Sequence, residues 1–254
     1  MPAASGGRGM RARDVVFLAA AVVMAGVFIR LGFWQLERLS ERRERNALVI
    51  ARLSEPAVPF AALPRDSGDA HYRRAQIRGT YDFAHEVVFV NRIRDGAPGV
   101  QLVTPLVPDS GVLGDTVVLV DRGWVYAPDG TTVDTVAWRE PAHVDGSGYV
   151  QEYFVLGQFP AVLPGHPSWY RWLDPALIAK ATGHPVAGYY VVLDSGAGAG
   201  PHLPQRVPTP PLDEGPHLSY AIQWFSFAAI ALAGSFMGVF VLPKYRGTLR
   251  VPRG

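Results

Sequence analysis

His217, Tyr220 and Trp224 follow one another at spacings of three and four residues where a long apolar run begins. Ala221, Ala228 and Ala231 fall on the same side, so at helical pitch these residues form one stripe. An imidazole at the boundary of an apolar helix can ligate the iron of a porphyrin, with the flat ring system lying along the helix. The same stripe suits packing against a second helix. It also suits the belt of polar and aromatic residues found where a helix leaves a membrane. Position alone leaves these uses open.

Nothing else in the chain has the spacing of a reactive site. His71, His85, His143, His166, His184 and His202 are scattered, without the paired spacing of a metal centre. The absence of cysteine excludes disulfides, thiolate metal sites and Cys-x-x-Cys redox chemistry. No G-x-S-x-G, H-E-x-x-H or Walker pattern occurs, so a non-enzymatic role is expected. Gly196, Gly198 and Gly200 suggest a phosphate loop, but Pro201, Pro204 and Pro208 follow where a helix would be needed, so the run reads as linker. The net charge of +2 is small and its arginines cluster beside the apolar runs. Nucleic acid, which needs a basic stripe interleaved with aromatics, is not an expected partner.

The elements that must position the stripe are two apolar runs near the two ends. Residues 15–29 are free of charge and continue past Arg30 through Leu31, Gly32, Phe33 and Trp34. Residues 218–242 are free of charge, and at about 1.5 Å per residue they are long enough to cross a hydrocarbon layer of about 30 Å. The first run has no small-residue cleavage site, which marks a retained anchor rather than a signal peptide. Arg8, Arg11 and Arg13 precede the first run, and Lys244, Arg246, Arg250 and Arg253 follow the second. The positive-inside rule then places both termini in the cytoplasm and the intervening chain outside, although acids mix with arginines at Glu37, Glu41 and Glu44. Arg30 is expected to snorkel to the interface. Gly234 and Gly238 have the spacing of a close helix contact in lipid and support packing of the two spans.

The first helix is expected to start at Asp14 as N-cap and to run beyond the membrane. Leu36, Leu39, Ala47, Ile50 and Leu53 recur near helical spacing, Glu41 and Arg45 form an i,i+4 pair, and Pro56 and Pro59 end the helix. Strands are expected at 74–81, 86–94, 100–107, 116–125, 148–159 and 189–194, all rich in Val, Ile, Thr and Tyr and separated by turn signals such as Asp95-Gly96 and Asp109-Ser110-Gly111. One short helix is expected over 174–182, with Asp174 as cap, Pro175 in its first position and Gly183 ending it. The fold class is therefore an α+β membrane protein. Two terminal transmembrane helices pack as a hairpin around an extracytoplasmic antiparallel β-sheet or small β-barrel with a short helix. The expected boundaries are a disordered cytoplasmic tail over 1–13 and a first transmembrane helix over 14–36. A β-rich domain preceded by a helical extension covers 37–194, and a Gly/Pro-rich tether covers 195–216. A second transmembrane helix over 217–242 and a basic cytoplasmic tail over 243–254 complete the chain.

Several residue groups resemble one family in order and placement. They are Gly32-Phe33-Trp34-Gln35-Leu36-Glu37-Arg38 at the first-span exit, and in the domain Arg78-Gly79-Thr80-Tyr81-Asp82, the run from Gly99 to Leu106, and Val120-Asp121-Arg122-Gly123-Trp124-Val125. His217-Leu218-Ser219-Tyr220-Ala221-Ile222-Gln223-Trp224-Phe225 opens the second span. Together they are similar to the Surfeit locus protein family, the assembly factors of haem-copper cytochrome c oxidase. The resemblance implies a multi-pass protein of the cell membrane, inner or plasma, that acts as a chaperone. It would help haem a reach the catalytic subunit of the oxidase, or stabilise that subunit. The alternative is a membrane-anchored scaffold for oxidase assembly that binds no haem. The implied partners are the catalytic subunit, other oxidase assembly factors and the lipid bilayer. The resemblance carries a haem-ligand role to His217, beside Tyr220 and Trp224, and structural or partner roles to Trp34, Gln35, Arg38, Arg122, Gly123 and Trp124. Two departures stand out. Gly215 and Pro216 replace the asparagines that often precede the histidine, and Tyr126 and Ala127 intervene before Pro128.

Overall fold

A computed structural model describes residues 10–154, 160–195 and 203–242. The chain divides into two compact units, one of residues 1–48 with 212–254, the other of residues 49–211.

The first unit is a helical hairpin. Helix α1 (Ala12–Ser54) contributes its residues up to Leu48, and helix α4 (His217–Phe236) continues through a π-helical turn at Met237–Val241. Both helices are long and apolar enough to cross a membrane. Helix α1 starts two residues before the expected cap, so Asp14 lies inside the first turn, where a carboxylate suits the helix dipole. Contacts run antiparallel. Phe28 meets Trp224 and Phe227 with ring centroids 5.7 and 5.8 Å apart, Phe33 meets Phe225 at 5.4 Å, and Gln35 meets His217. On α1 the covered residues Ala25, Phe28, Gly32, Gln35 and Leu39 alternate steps of three and four, the seam of a left-handed helix pair. Gly32 makes room for the Phe225 ring, since a Cβ there would lie 2.6 Å from it. Gly234 and Gly238 have open space where a Cβ would stand, so the glycine contact expected from their spacing is not the one the hairpin uses. Aromatic contacts and the Gln35–His217 contact line this pairing.

The second unit is built on nine strands in the order β1-β2-β6-β9-β5-β4-β3-β8-β7. They are β1 (Val58–Pro59), β2 (Arg74–Tyr81), β3 (Val87–Arg94), β4 (Ala97–Pro108), β5 (Val118–Tyr126), β6 (His143–Gln151), β7 (Val162–Leu163), β8 (His166–Tyr170) and β9 (Tyr190–Ser195). Strand β4 closes part of this sheet into a ring. Along one edge it pairs with β5, and along the other it pairs with β3 as far as Val103 and with β2 from Leu106. The ring therefore runs β2-β6-β9-β5-β4 and back to β2, a small barrel. It is not purely antiparallel, because β9 lies parallel to β5, and β1 and β8 lie parallel to β2 and β3.

Alternation explains the ring. Ala75, Ile77 and Tyr81 on β2, Leu106 on β4, Val118 and Val120 on β5, Val144 and Val150 on β6, and Val191 and Leu193 on β9 form one buried cluster inside it. The other face of β5 is buried too. There Leu119 joins Val87, Phe89, Val103, Tyr170, Trp172 and Ile178 beneath helix α3 (Pro175–Thr182). Asp174 caps α3 by accepting from the Ala176 and Leu177 amides, and Gly183 ends it at φ 74°. A four-residue helix α2 (Ser67–Ala70) precedes β2.

The expected tether is not a free linker over its second half. Pro204 is buried, and Gln205 and Trp124 exchange two backbone hydrogen bonds of 2.7 and 2.8 Å. This strap is held on β5 by side chains described below. Residues 1–9, 155–159, 196–202 and 243–254 lie outside the described residues, and with them most of the expected tail over 1–13, part of the strand expected over 148–159, the glycine run and the basic tail.

Candidate functional site

The stripe that opens α4 is split among three environments. His217 is half-buried, and its Nδ1 lies 2.9 Å from Gln35 Oε1. Its Nε2 makes no hydrogen bond among the described residues. Trp224 packs on Phe28 in the hairpin seam, and Tyr220 is 45% exposed. At the first-span exit Trp34 is 41% exposed, with the Arg38 guanidinium 5.9 Å from its ring centre. Arg38 also pairs with Glu41 at 2.7 Å.

The chain just before His217 is latched to α1. Arg42 Nε and Asn46 Nδ2 both donate to the Asp213 carbonyl at 3.0 Å. Arg43 donates twice to the Glu214 carboxylate, at 2.8 Å each. Gly215 sits at φ 68°, a conformation that glycine and asparagine tolerate best. Glycine at 215 therefore suits the backbone turn that delivers His217 to the helix start.

In the barrel unit, Arg122-Gly123-Trp124 forms a different kind of site. Register places Leu102 opposite Gly123 and Val103 opposite Asp121, so Arg122 is the extra residue of a β-bulge. Its side chain is fully buried. It pairs with Glu86, and it donates to Thr104 Oγ1 and to the Trp138 carbonyl at 2.8 Å each. Phe83 lies 5.2 Å from its guanidinium. Glu140, also buried, lies 3.5 Å from Arg122 and takes a 2.5 Å bond from Arg206 of the strap, which also donates to the Arg122 carbonyl. Two arginines thus neutralise two glutamates, with Arg122, Glu86 and Glu140 buried and Arg206 partly exposed, a set in which losing one partner is costly.

The rest of the motif holds the same strap. A Cβ on Gly123, which lies at φ 134°, would stand 2.5 Å from the Gln205 carbonyl. Trp124 is 7% exposed and donates from Nε1 to the Arg92 carbonyl at 2.9 Å. Arg94 donates to the Arg206 carbonyl at 2.9 Å, and Tyr149 to that of Pro208 at 3.3 Å. The neighbouring Asp121 is buried and accepts from the Gly123 amide at 3.0 Å. Burial pushes its carboxyl up to about 7, while the Gly123 amide and Arg92, Arg122 and Arg206 pull it back.

The structure brings His217 and Gln35 together and leaves Tyr220, one turn on, exposed. It makes Arg122, Gly123 and Trp124 a structural lock. Glu86, Glu140, Arg206, Asp213 and Glu214 carry much of this arrangement without being singled out by sequence, because charges in a chain read as solvated surface. Among the described residues no group of three or more His, Asp or Glu side chains is disposed to hold a metal ion. A single axial imidazole for a porphyrin does not require one.

Comparison with known proteins gives consistent results. A family model described as the SURF1 family matches residues 22–229. An uncharacterized SURF1-like protein of Mycobacterium tuberculosis is 31% identical over 250 residues, covering 94% of this chain and 88% of its own length. A SURF1-like protein of Monosiga brevicollis is 29% identical over 238 residues, covering 87% of each chain. One from Drosophila melanogaster is 28% identical over 219 residues, covering 78% of this chain and 69% of its own.

Proposed function

Because the chain belongs to the SURF1 family, we propose that it is an assembly factor for haem-copper cytochrome c oxidase that carries haem a as cargo to the catalytic subunit. Family membership implies a role in oxidase assembly, and the haem-handling part of the reading rests on one observation. The His217 imidazole is held through Nδ1, 2.9 Å from Gln35 Oε1, while Nε2 makes no hydrogen bond among the described residues, at the start of an apolar helix. That is the disposition an axial haem ligand needs. Apolar surface on α1 and α4 would lie along the porphyrin.

A carrier must release what it holds. One imidazole with apolar packing gives moderate affinity, and a site at the membrane boundary stays open to a partner that shares the bilayer. The protein acts in this reading as a chaperone and not as an enzyme, with its two helices spanning the cell membrane, both termini cytoplasmic and the barrel outside. The positive-inside rule supports that orientation. The barrel supplies a rigid, buried-charge scaffold that fits a surface for the half-built oxidase and its other assembly factors.

The test is purification from a membrane that makes haem a, followed by pigment extraction and identification of bound proteins. Haem a together with the oxidase catalytic subunit is the expected result. The catalytic subunit without pigment would replace the carrier by a scaffold that binds no haem.

A further inference from the structure

We propose that Gln35 is the positioning residue of the His217 site. Its side-chain oxygen accepts the Nδ1 proton, fixes the imidazole in its Nδ1–H form and leaves the Nε2 lone pair for iron. This rests on the reading of His217 as a haem ligand and deepens it.

The placement of Gln35 carries the argument. It is half-buried on the hairpin seam between Gly32 and Leu39, one turn from each. An amide partly withdrawn from water on such a seam is stabilised by a partner that replaces the bonds it loses. Its partner is the imidazole of the facing helix, at 2.9 Å. In neutral imidazole one ring nitrogen donates and the other accepts, so the bond to one decides the chemistry of the other. A carbonyl oxygen at Nδ1 selects the proton there. Metal-bound histidines are commonly oriented in this way by a second hydrogen bond, which also raises their basicity as ligands.

The ring is also held from the chain side. Arg42, Arg43 and Asn46 fix Asp213 and Glu214, so the turn before His217 is tied to the helix that carries Gln35. At Gly215 a Cβ would lie 3.5 Å from Nε2, so glycine keeps that flank of the nitrogen free of a side chain. The free nitrogen is thus defined before any porphyrin arrives, as preorganisation of a binding site requires.

Two measurements on the full-length protein in detergent or nanodiscs test this. In the unloaded protein, ¹⁵N spectra of labelled histidine should show His217 in the Nδ1–H form, and Gln35→Leu should convert it to a mixture. In titrations with haem a, and with iron protoporphyrin IX as a second probe, Gln35→Leu should weaken binding about 10–100-fold. Gln35→Glu restores an acceptor, so it should bind near the wild-type level with a more negative reduction potential. An Nε2–H form in the unloaded wild type would overturn the proposal. So would a Gln35→Leu variant with unchanged affinity and spectrum, provided His217→Ala abolishes binding. If His217→Ala binds both probes as the wild type does, the ligand reading itself has failed, and Gln35 has no such role.

Discussion

Trp124→Ala tests whether the tryptophan of the Arg-Gly-Trp motif is a lock or a contact for a partner. The indole is 7% exposed and covers Gly99 so closely that a Cβ there would lie 2.3 Å from the ring. Its Nε1 donates to the Arg92 carbonyl at 2.9 Å. Truncating a buried Trp costs about 3–5 kcal/mol, with loss of one hydrogen bond of about 1 kcal/mol within that figure. A domain stable by about 5–15 kcal/mol would lose about a fifth or more of its margin. Trp124→Phe keeps most of the ring and loses the indole bond, so about 1–2 kcal/mol is expected. Chemical denaturation followed by far-ultraviolet circular dichroism gives both values. Amide exchange at Trp124 and Gln205, whose backbones bond each other, should quicken in the alanine variant. A change below about 1 kcal/mol with impaired oxidase assembly would place the residue against a partner and refute the lock.

Three other outcomes follow from the same structure. Burial raises the Asp121 pKa to about 7, so the folded protein holds a proton that the unfolded chain releases; stability is whole below about pH 4 and declines as pH rises through 7. Asp121→Asn keeps the acceptor for the Gly123 amide and should match wild type near pH 4 but exceed it by about 2–4 kcal/mol at pH 8, as read from denaturation at the two pH values. Glu140→Ala leaves Arg122 and Arg206 without their shared carboxylate and should cost about 3–5 kcal/mol, with limited proteolysis of the strap around Arg206 as a second readout. An alkaline phosphatase fusion near Gly165 should be active and one after Arg250 inactive, the reverse pattern excluding an extracytoplasmic barrel.

Much of this architecture is legible in local sequence signals. Helix α3 could be bounded to the residue because Asp174, Pro175 and Gly183 act through backbone geometry alone. Strand β2 matches its expected range because its alternation is regular, and β3, β5 and β9 fall close to theirs. The short strands β1, β7 and β8 lack that alternation and are paired by tertiary context. So is the start of β6 at His143, which a Gly-containing run obscures. Gly and Pro in the tether do forbid regular structure, but composition is silent about docking, and Gln205 and Arg206 dock through bonds made to residues far away in the chain. The parallel pairing of β9 with β5 is equally non-local. At the candidate site, helical spacing points to His217 and the first-span motif includes Gln35, but only the fold joins two residues 182 positions apart.

The central claim is that His217 supplies the iron ligand, and an absorbance titration of the purified full-length protein with haem a tests it most directly. The wild type should give a saturable spectrum of imidazole-ligated haem. His217→Ala removes one ligand and little packing, so it should insert and fold as the wild type does while losing that spectrum and much of the affinity. An alanine variant that binds the same pigment with the same spectrum would contradict the account.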